Sequence, residues 1–179
     1  MPGRKKRVAP PAAACKMAAC SRETDMTFRF TGLPLAAFEP LFALTDRELA
    51  ARQMRRVTAD QKPGYPCRVT LEDAEPGERL ILLSYEHQAA ATPYRAAGPI
   101  FVREAAATSY DGPGVPPVLQ PRRLSLRAYD ATDSIIAAEV VMGEEIEVAL
   151  ERLFARPACS YVHAHNAGYG CYAGRIDRG

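Results

Sequence analysis

The chain has 179 residues, of which 23 are Lys or Arg and 21 are Asp or Glu, for a formal net charge of +2. Residues 1–25 contain six of the basic and two of the acidic residues, which leaves 17 basic and 19 acidic residues in the body, residues 26–179. A body of that charge has no electrostatic feature that favours nucleic acid. No run of 18 apolar residues occurs, so the sequence predicts no membrane-spanning helix.

Five cysteines at wide spacing do not make a disulfide framework, and we expect a soluble protein of the reducing cytoplasm. Residues 1–25 hold the basic cluster 4–7 and are then interrupted by Pro10, Pro11 and Lys16. We interpret them as a disordered tail or as a mis-assigned start, with Met26 as the true first residue. A cleaved signal peptide and a basic nucleic-acid arm are the weaker alternatives. Residues 26–179 are expected to form one domain.

The first half of the body predicts short elements separated by turns. Residues 28–30 alternate as a strand does, and Pro34 begins a short amphipathic helix. Thr45 and Glu48 have the spacing of a capping box, which predicts a second helix that ends near Met54. Strands are predicted over residues 67–71, 79–86 and 100–103. Residues 105–121 contain four prolines and are expected to form a long loop.

The second half predicts strands over residues 124–129 and 134–142, a helix over residues 144–154, and two final strands over residues 160–165 and 171–176. The helix has Ile146, Leu150 and Leu153 on one face. Because most links between strands are too short for parallel crossovers, the strands should pair antiparallel. We therefore expect an α+β fold: a mainly antiparallel sheet with a long C-terminal-half helix packed on one face and one or two short N-terminal helices.

Several short phrases of the body occur together in one known family. They are PGYPCR at residues 63–68, LEDA at 71–74, PGE at 76–78, YEH at 85–87, PYR at 93–95, GPIF at 98–101, RAY at 127–129, HAHNAG at 163–168 and GCY at 170–172. Over residues 28–178 the chain resembles the bacterial family catalogued as domain of unknown function 1203. The resemblance implies a bacterial, soluble protein and implies no reaction.

The three histidines of the chain all lie in these phrases, at His87, His163 and His165. On a strand, His163 and His165 point to the same face as Tyr161 and Cys159, because side chains alternate. If residues 166–170 form the turn, His165 lies opposite Cys171 and His163 lies opposite Ala173.

One hypothesis is a metal site, in which His163, His165 and Cys171 bind a divalent ion such as zinc and Cys67 or His87 completes the set. No carboxylate follows the histidine pair, and the body has no Cys-x-x-Cys motif. A second hypothesis is a cysteine nucleophile, in which Cys171 or Cys67 uses a histidine as base and Asn166 as the orienting group.

The third hypothesis, and the preferred one, is a polar pocket that binds a small anionic molecule and catalyses no reaction. Its residues are Arg68, His87, Tyr94, Arg95, Asn166 and Tyr172, with His163, His165 and Cys171 nearby. An arginine presents a planar fork that fits a carboxylate or a phosphate. The alternatives are a structural hydrogen-bond network without a ligand, and a partner-binding module with an apolar patch at the proline-rich loop. The oligomeric state and the order of the strands stay open.

Overall fold

A computed structural model describes residues 27–179. The prediction for residues 1–25, and for Met26 as the first residue, lies outside the described residues. Within the described range no helix is both long and apolar enough to cross a membrane.

Nine strands account for most of the regular structure in residues 27–179. They are β1 (Phe28–Thr31), β2 (Arg55–Thr58), β3 (Arg79–Gln88), β4 (Ala96–Arg103), β5 (Asp111–Pro113), β6 (Arg123–Tyr129), β7 (Ile135–Met142), β8 (Tyr161–Asn166) and β9 (Tyr172–Arg178). The described part of the chain also has three α-helices: α1 (Glu39–Phe42), α2 (Asp46–Ala51) and α3 (Ile146–Phe154). Two 3-10 turns, Leu35–Ala37 and Gly143–Glu145, precede α1 and α3.

The strands form two sheets in which each pair of neighbours is antiparallel. The larger sheet has six strands in the order β5-β1-β9-β8-β6-β7, and the smaller has three in the order β2-β3-β4. The hairpin β8–β9 lies in the middle of the larger sheet, and most of its side chains are buried. The histidine pair on β8 points into the interior, where His163 and His165 are buried.

The expected α+β class with a long C-terminal-half helix is wrong. The structure is mostly antiparallel sheet, and its three helices are short. The helix α3 has nine residues, because the two glutamates that were assigned to its first turn belong to the 3-10 turn Gly143–Glu145. Two strands that were not predicted from the sequence, β2 and β5, add to the β content.

The first core lies between the larger sheet and α3. Ile146, Leu150 and Leu153 are completely buried there, as the helical spacing predicts, and each contributes about 1.5–3 kcal/mol through the burial of its side chain. Val162 and Ala164 of β8 face this core. Because side chains alternate along a strand, the residues between them, such as His163, point to the opposite face.

The second core lies on that opposite face and joins the two sheets. Ile81 and Leu83 of β3, Ile100 and Val102 of β4, and Tyr172 of β9 belong to one buried cluster. The smaller sheet therefore covers the face of the larger sheet that carries the histidines.

The capping box at the start of α2 is present as predicted. The Thr45 side chain accepts a hydrogen bond from the Glu48 backbone N–H, and the Glu48 carboxylate accepts one from the Thr45 backbone N–H. The helix ends at Ala51 rather than near Met54, and Gln53 then adopts a positive φ of 59° that reverses the chain. The strand β2 follows at once and was not predicted.

The predicted strand over residues 67–71 is wrong. Within the segment only Cys67 forms a bridge, which is an isolated one with Phe101. Leu71 has a positive φ of 50° that interrupts extended backbone. The same turns direct the Arg68 side chain inward, where it is 4% exposed.

Candidate functional site

Three histidines meet between the two sheets, and we call His87, His163 and His165 the histidine cluster. His87 comes from β3 of the smaller sheet, whereas His163 and His165 come from β8 of the larger one. The His87 and His165 ring centroids lie 5.0 Å apart, and His163 lies 6.3 Å from the first and 6.2 Å from the second. The fold thus brings His87 next to two histidines that lie 76 and 78 positions later in the sequence.

Two β-bulges set the direction of these side chains. On β3, Glu86 pairs with Ala97 and Gln88 pairs with Ala96, so His87 is the extra residue of a bulge. On the hairpin, Ala164 pairs with Gly174 and His165 pairs with Tyr172. Bulges bend a strand and change the direction in which a side chain points, and they are frequent next to functional sites.

The cluster is uncharged at neutral pH. Burial, followed by the positive charges of neighbouring side chains, lowers the pKa of His163 to about 3. Burial lowers the pKa of His165 to about 4, against a hydrogen bond with the Gly170 backbone that raises it. The pKa of His87 is also lowered, chiefly by burial.

Each histidine of the cluster has one buried ring nitrogen without a hydrogen-bond partner. These atoms are Nδ1 of His87, Nδ1 of His163 and Nε2 of His165. The other nitrogen of His165, Nδ1, lies 3.0 Å from the Gly170 carbonyl. Because a carbonyl only accepts, Nδ1 carries the proton, and Nε2 presents a free lone pair.

Tyrosine rings surround the cluster. Tyr172 stacks on His87 at 5.0 Å and meets His163 edge-on at 5.2 Å. Tyr129 and Tyr161, which pair across β6 and β8, stack at 5.0 Å and both contact His163. The buried hydroxyl of Tyr161 donates to Asp133 at 2.6 Å and accepts from Gln88 at 2.7 Å. Burial, and then this donation to Asp133, raises the pKa of Tyr161 to about 12.

A cleft of about 440 Å³, here called the Arg68 cleft, opens beside the hairpin β8–β9. Its polar lining consists of Arg68, Arg122, Asn166 and Cys171. Apolar lining comes from Pro66, Leu82, Pro99, Phe101 and the loop residue Tyr169, which is 95% exposed. The volume lies within the range of small-molecule sites.

Arg68 is a buried guanidinium without a counter-ion. Its Nε donates to the Tyr172 carbonyl, and its Nη1 donates to the Pro66 carbonyl at 2.5 Å. No carboxylate of residues 27–179 pairs with it. Burial lowers its pKa to about 10, which still leaves it charged at neutral pH. Arg122, in the same cleft, is neutralised by Asp73 through bonds of 2.7 and 2.9 Å.

A larger cleft, about 550 Å³, is a weaker candidate because its charged side chains are already paired. Lys62 pairs with Glu75, and Arg103 donates to Glu72 at 2.8 Å. No charged group is left there to attract a ligand.

The structure brings together most of the residues that the sequence singled out. His87, His163 and His165 form the cluster, and Arg68, Asn166 and Cys171 line the cleft. Tyr172 belongs to both, since its ring contacts the histidines and its carbonyl accepts from Arg68.

The remaining predicted ligand residues, Tyr94 and Arg95, belong to neither the cluster nor the cleft. Tyr94 is 41% exposed, and Arg95 pairs with Glu86 on the surface. The predicted register of the hairpin is also wrong. His165 pairs with Tyr172 and His163 with Arg175, because Ala173 is the extra residue of the hairpin bulge.

Cys67 and Cys159 stand apart from the cleft lining. Cys67 is buried in the second core, and Cys159 is buried against α3 in the first. Among the described residues no group of three or more His, Cys, Asp or Glu side chains could hold a metal ion.

Sequence reasoning missed Arg122, Tyr129, Gln88 and the apolar wall of the cleft. Tyr129 carried a weak signal, since it belongs to the phrase RAY at residues 127–129. The position of Arg122 depends on the fold of the proline-rich segment and had no local signal.

A sequence model of the family described as "Protein of unknown function (DUF1203)" matches residues 64–178. This range contains the histidine cluster and every residue that lines the Arg68 cleft. No curated protein and no solved structure matches the chain.

Proposed function

The chain belongs to the DUF1203 family, whose description names no reaction, and we propose that it binds a small anionic molecule in the Arg68 cleft. The observation that carries this proposal is the unpaired guanidinium of Arg68. A buried charge is costly unless a partner compensates it, and no carboxylate of the described chain does so. A bound anion would supply that partner.

The hydrogen bonds of Arg68 leave part of its guanidinium free for a ligand. The two carbonyl acceptors hold Nε and Nη1, whereas Nη2 donates to no described residue. Since Nη2 is not among the buried atoms that lack a partner, it is open to the cleft. An arginine held in one plane with free N–H groups binds a carboxylate or phosphate oxygen with little further loss of side-chain entropy.

The rest of the cleft favours an anion that carries a small apolar body. Leu82, Pro99 and Phe101 form an apolar wall, and Tyr169 offers an aromatic face at the rim. Asn166 adds an amide that donates and accepts. A few polar groups in a mostly apolar lining are typical of small-molecule sites.

We propose the cytoplasm as the place of this binding. The three cysteines of the described residues, Cys67, Cys159 and Cys171, are free thiols, as expected in a reducing compartment.

A titration with two probes, benzoate and phenyl phosphate, tests the proposal. Calorimetry and amide NMR should detect binding to the native protein, with the largest shifts at Asn166, Tyr169 and Cys171. Arg68→Met should weaken binding at least about tenfold, because a charge-assisted hydrogen bond is lost. The control is Arg152→Met, which removes an exposed arginine on α3 that pairs with Glu139.

Tyr169→Ala is the second variant, since a side chain that is 95% exposed does not support the fold. It should weaken binding of phenyl phosphate and leave binding of inorganic phosphate unchanged. Failure of both probes and of inorganic phosphate to bind the native protein, or equal affinity in Arg68→Met and Arg152→Met, would overturn the proposal.

A further inference from the structure

We propose that Cys171 is a site of reversible covalent modification, at which its thiolate exchanges with a small disulfide that carries a carboxylate or another anionic group. The part of Arg68 in this reaction rests on the proposed function, since its guanidinium would hold the anionic group of the disulfide. Cys171 would then attack a sulfur atom of the molecule that Arg68 holds.

Access to the thiol is the first observation. Residues 27–179 have three free cysteines, and two of them are buried in the cores: Cys67 is 0% exposed and Cys159 is 3% exposed. Cys171 is only half-buried and lines the Arg68 cleft. Burial also raises the pKa of the Cys159 thiol, which disfavours its thiolate. A disulfide in solution therefore has access to Cys171 and not to the other two.

The unpaired positive charge in the same cleft is the second observation. Arg68 is 4% exposed, has no carboxylate partner in the described chain, and leaves its Nη2 open to the cleft. Burial lowers the pKa of Arg68 to about 10, and the group that raises it most is Cys171. An anionic reagent that is attracted to Arg68 is therefore brought next to Cys171. Reactive thiols typically lie in such partly open, positively charged surroundings.

The turn of the hairpin β8–β9 fixes the position of Cys171. Gly170, just before it, has a positive φ of 74° and donates its N–H to the Asn166 carbonyl at 2.8 Å. The Cys171 carbonyl accepts from the Asn166 N–H at 2.9 Å. Arg68 is tied to the next residue of the same strand, because its Nε donates to the Tyr172 carbonyl. The fold therefore holds the guanidinium and the thiol beside one another.

The disulfide itself is the oxidant in this exchange. The Cys171 thiolate attacks one sulfur of the disulfide, a sulfur–sulfur bond forms to Cys171, and the original bond of the disulfide breaks. The other half leaves as a thiolate and takes a proton from water. Cys171 is oxidised and the leaving half is reduced, and an excess of free thiol reverses the step.

Exchange rates with two aromatic disulfides test the site. Dithiobis(nitrobenzoate) carries carboxylates, whereas dithiodipyridine is uncharged. The protein is the full chain with Cys15→Ser and Cys20→Ser, so that thiols outside the described residues do not react. At pH 8 and low salt, the anionic disulfide should modify one thiol per folded chain, and mass spectrometry should identify it as Cys171.

Arg68→Met should slow the reaction with the anionic disulfide at least about tenfold, because the charge that holds its carboxylate is lost. The rate with the uncharged disulfide should change by less than about threefold. The matched control is Arg152→Met, which removes an exposed arginine of α3 and should leave both rates unchanged. Circular dichroism checks the fold of each variant.

Salt gives a second measurement on the native arginine, which does not depend on the folding of Arg68→Met. About 0.5 M sodium chloride should slow the anionic disulfide at least about fivefold and leave the uncharged one nearly unchanged. An anionic rate that is insensitive to salt would overturn the proposal. Equal anionic rates in folded Arg68→Met and Arg152→Met, or modification of Cys67 or Cys159 in place of Cys171, would overturn it as well.

Calorimetry with benzoate on Cys171→Ser separates the covalent site from the anion site. This variant lacks the thiol and should still bind benzoate. Benzoate binding by Cys171→Ser, together with a native chain that the anionic disulfide does not modify, would overturn the covalent site alone. Failure of the anion site would instead appear as a lack of benzoate binding in both Cys171→Ser and the native chain.

Discussion

Acidification should destabilise the fold through the histidine cluster. His163 and His165 have pKa values of about 3 and about 4 in the folded chain, against 6.5 in model compounds. Below pH 6.5 the unfolded chain therefore binds more protons than the folded one, and the free energy of unfolding falls as pH falls. The loss continues until the pH reaches the folded pKa values.

The magnitude follows from the size of these shifts. Between pH 7 and pH 5, a histidine that protonates only in the unfolded chain removes about 2 kcal/mol of stability. His163 and His165 together should remove roughly 4 kcal/mol, which is a large fraction of the 5–15 kcal/mol typical of a folded domain. The groups that face them, His87, Arg127 and Arg175, are basic and disfavour protonation further.

Urea unfolding at pH 7, 6 and 5 measures this loss. His163→Phe keeps an aromatic ring and removes the titrating group, so its stability should fall by about half as much over the same range. A loss below about 1 kcal/mol in the native protein between pH 7 and pH 5 would show that the histidines are not held neutral by burial.

Two further predictions concern the framework of the site. Gly143→Ala should lower the free energy of unfolding by more than about 3 kcal/mol, because its new Cβ would lie 2.0 Å from the Leu119 carbonyl oxygen. Gly98→Ala is the control: its new Cβ would have no atom within 4 Å, so it should change the free energy of unfolding by less than about 1 kcal/mol. Equal thermal unfolding of the two variants would contradict this. Arg122→Met should lower the free energy of unfolding by about 3–5 kcal/mol, because the buried Asp73 carboxylate loses its ion pair. The carboxylate would then keep only the hydrogen bond that it accepts from the Gly64 N–H at 3.2 Å. The double variant with Asp73→Asn should recover part of that loss in urea unfolding, and no recovery would mean that the ion pair is not the cause.

Local signals in the sequence identified much of what surrounds the site. The alternation of Tyr161, His163 and His165 placed these side chains on one face of a strand, and the structure has them in mutual contact. The Thr45–Glu48 spacing identified the start of α2. Each of these features depends on residues within a few positions of one another, which is the range over which backbone periodicity and capping act.

Features that depend on distant residues could not be predicted. The two bulges at His87 and Ala173 change which residues pair, and no residue type near them in the sequence predicts a bulge. Gln53 and Leu71 adopt positive φ without being glycine, so the end of α2 and the turns around Arg68 had no visible signal. The early end of α2 follows from the same cause, since the turn at Gln53 stops a helix that was expected to continue to near Met54.

A crystal structure of the native protein soaked with phenyl phosphate would test the central claim most directly. The account predicts the phosphate group in the Arg68 cleft, with an oxygen about 2.7–2.9 Å from Nη2 of Arg68 and the ring against Phe101 or Tyr169. An empty cleft at saturating probe, or a phosphate bound elsewhere while Nη2 of Arg68 stays unpaired, would contradict it.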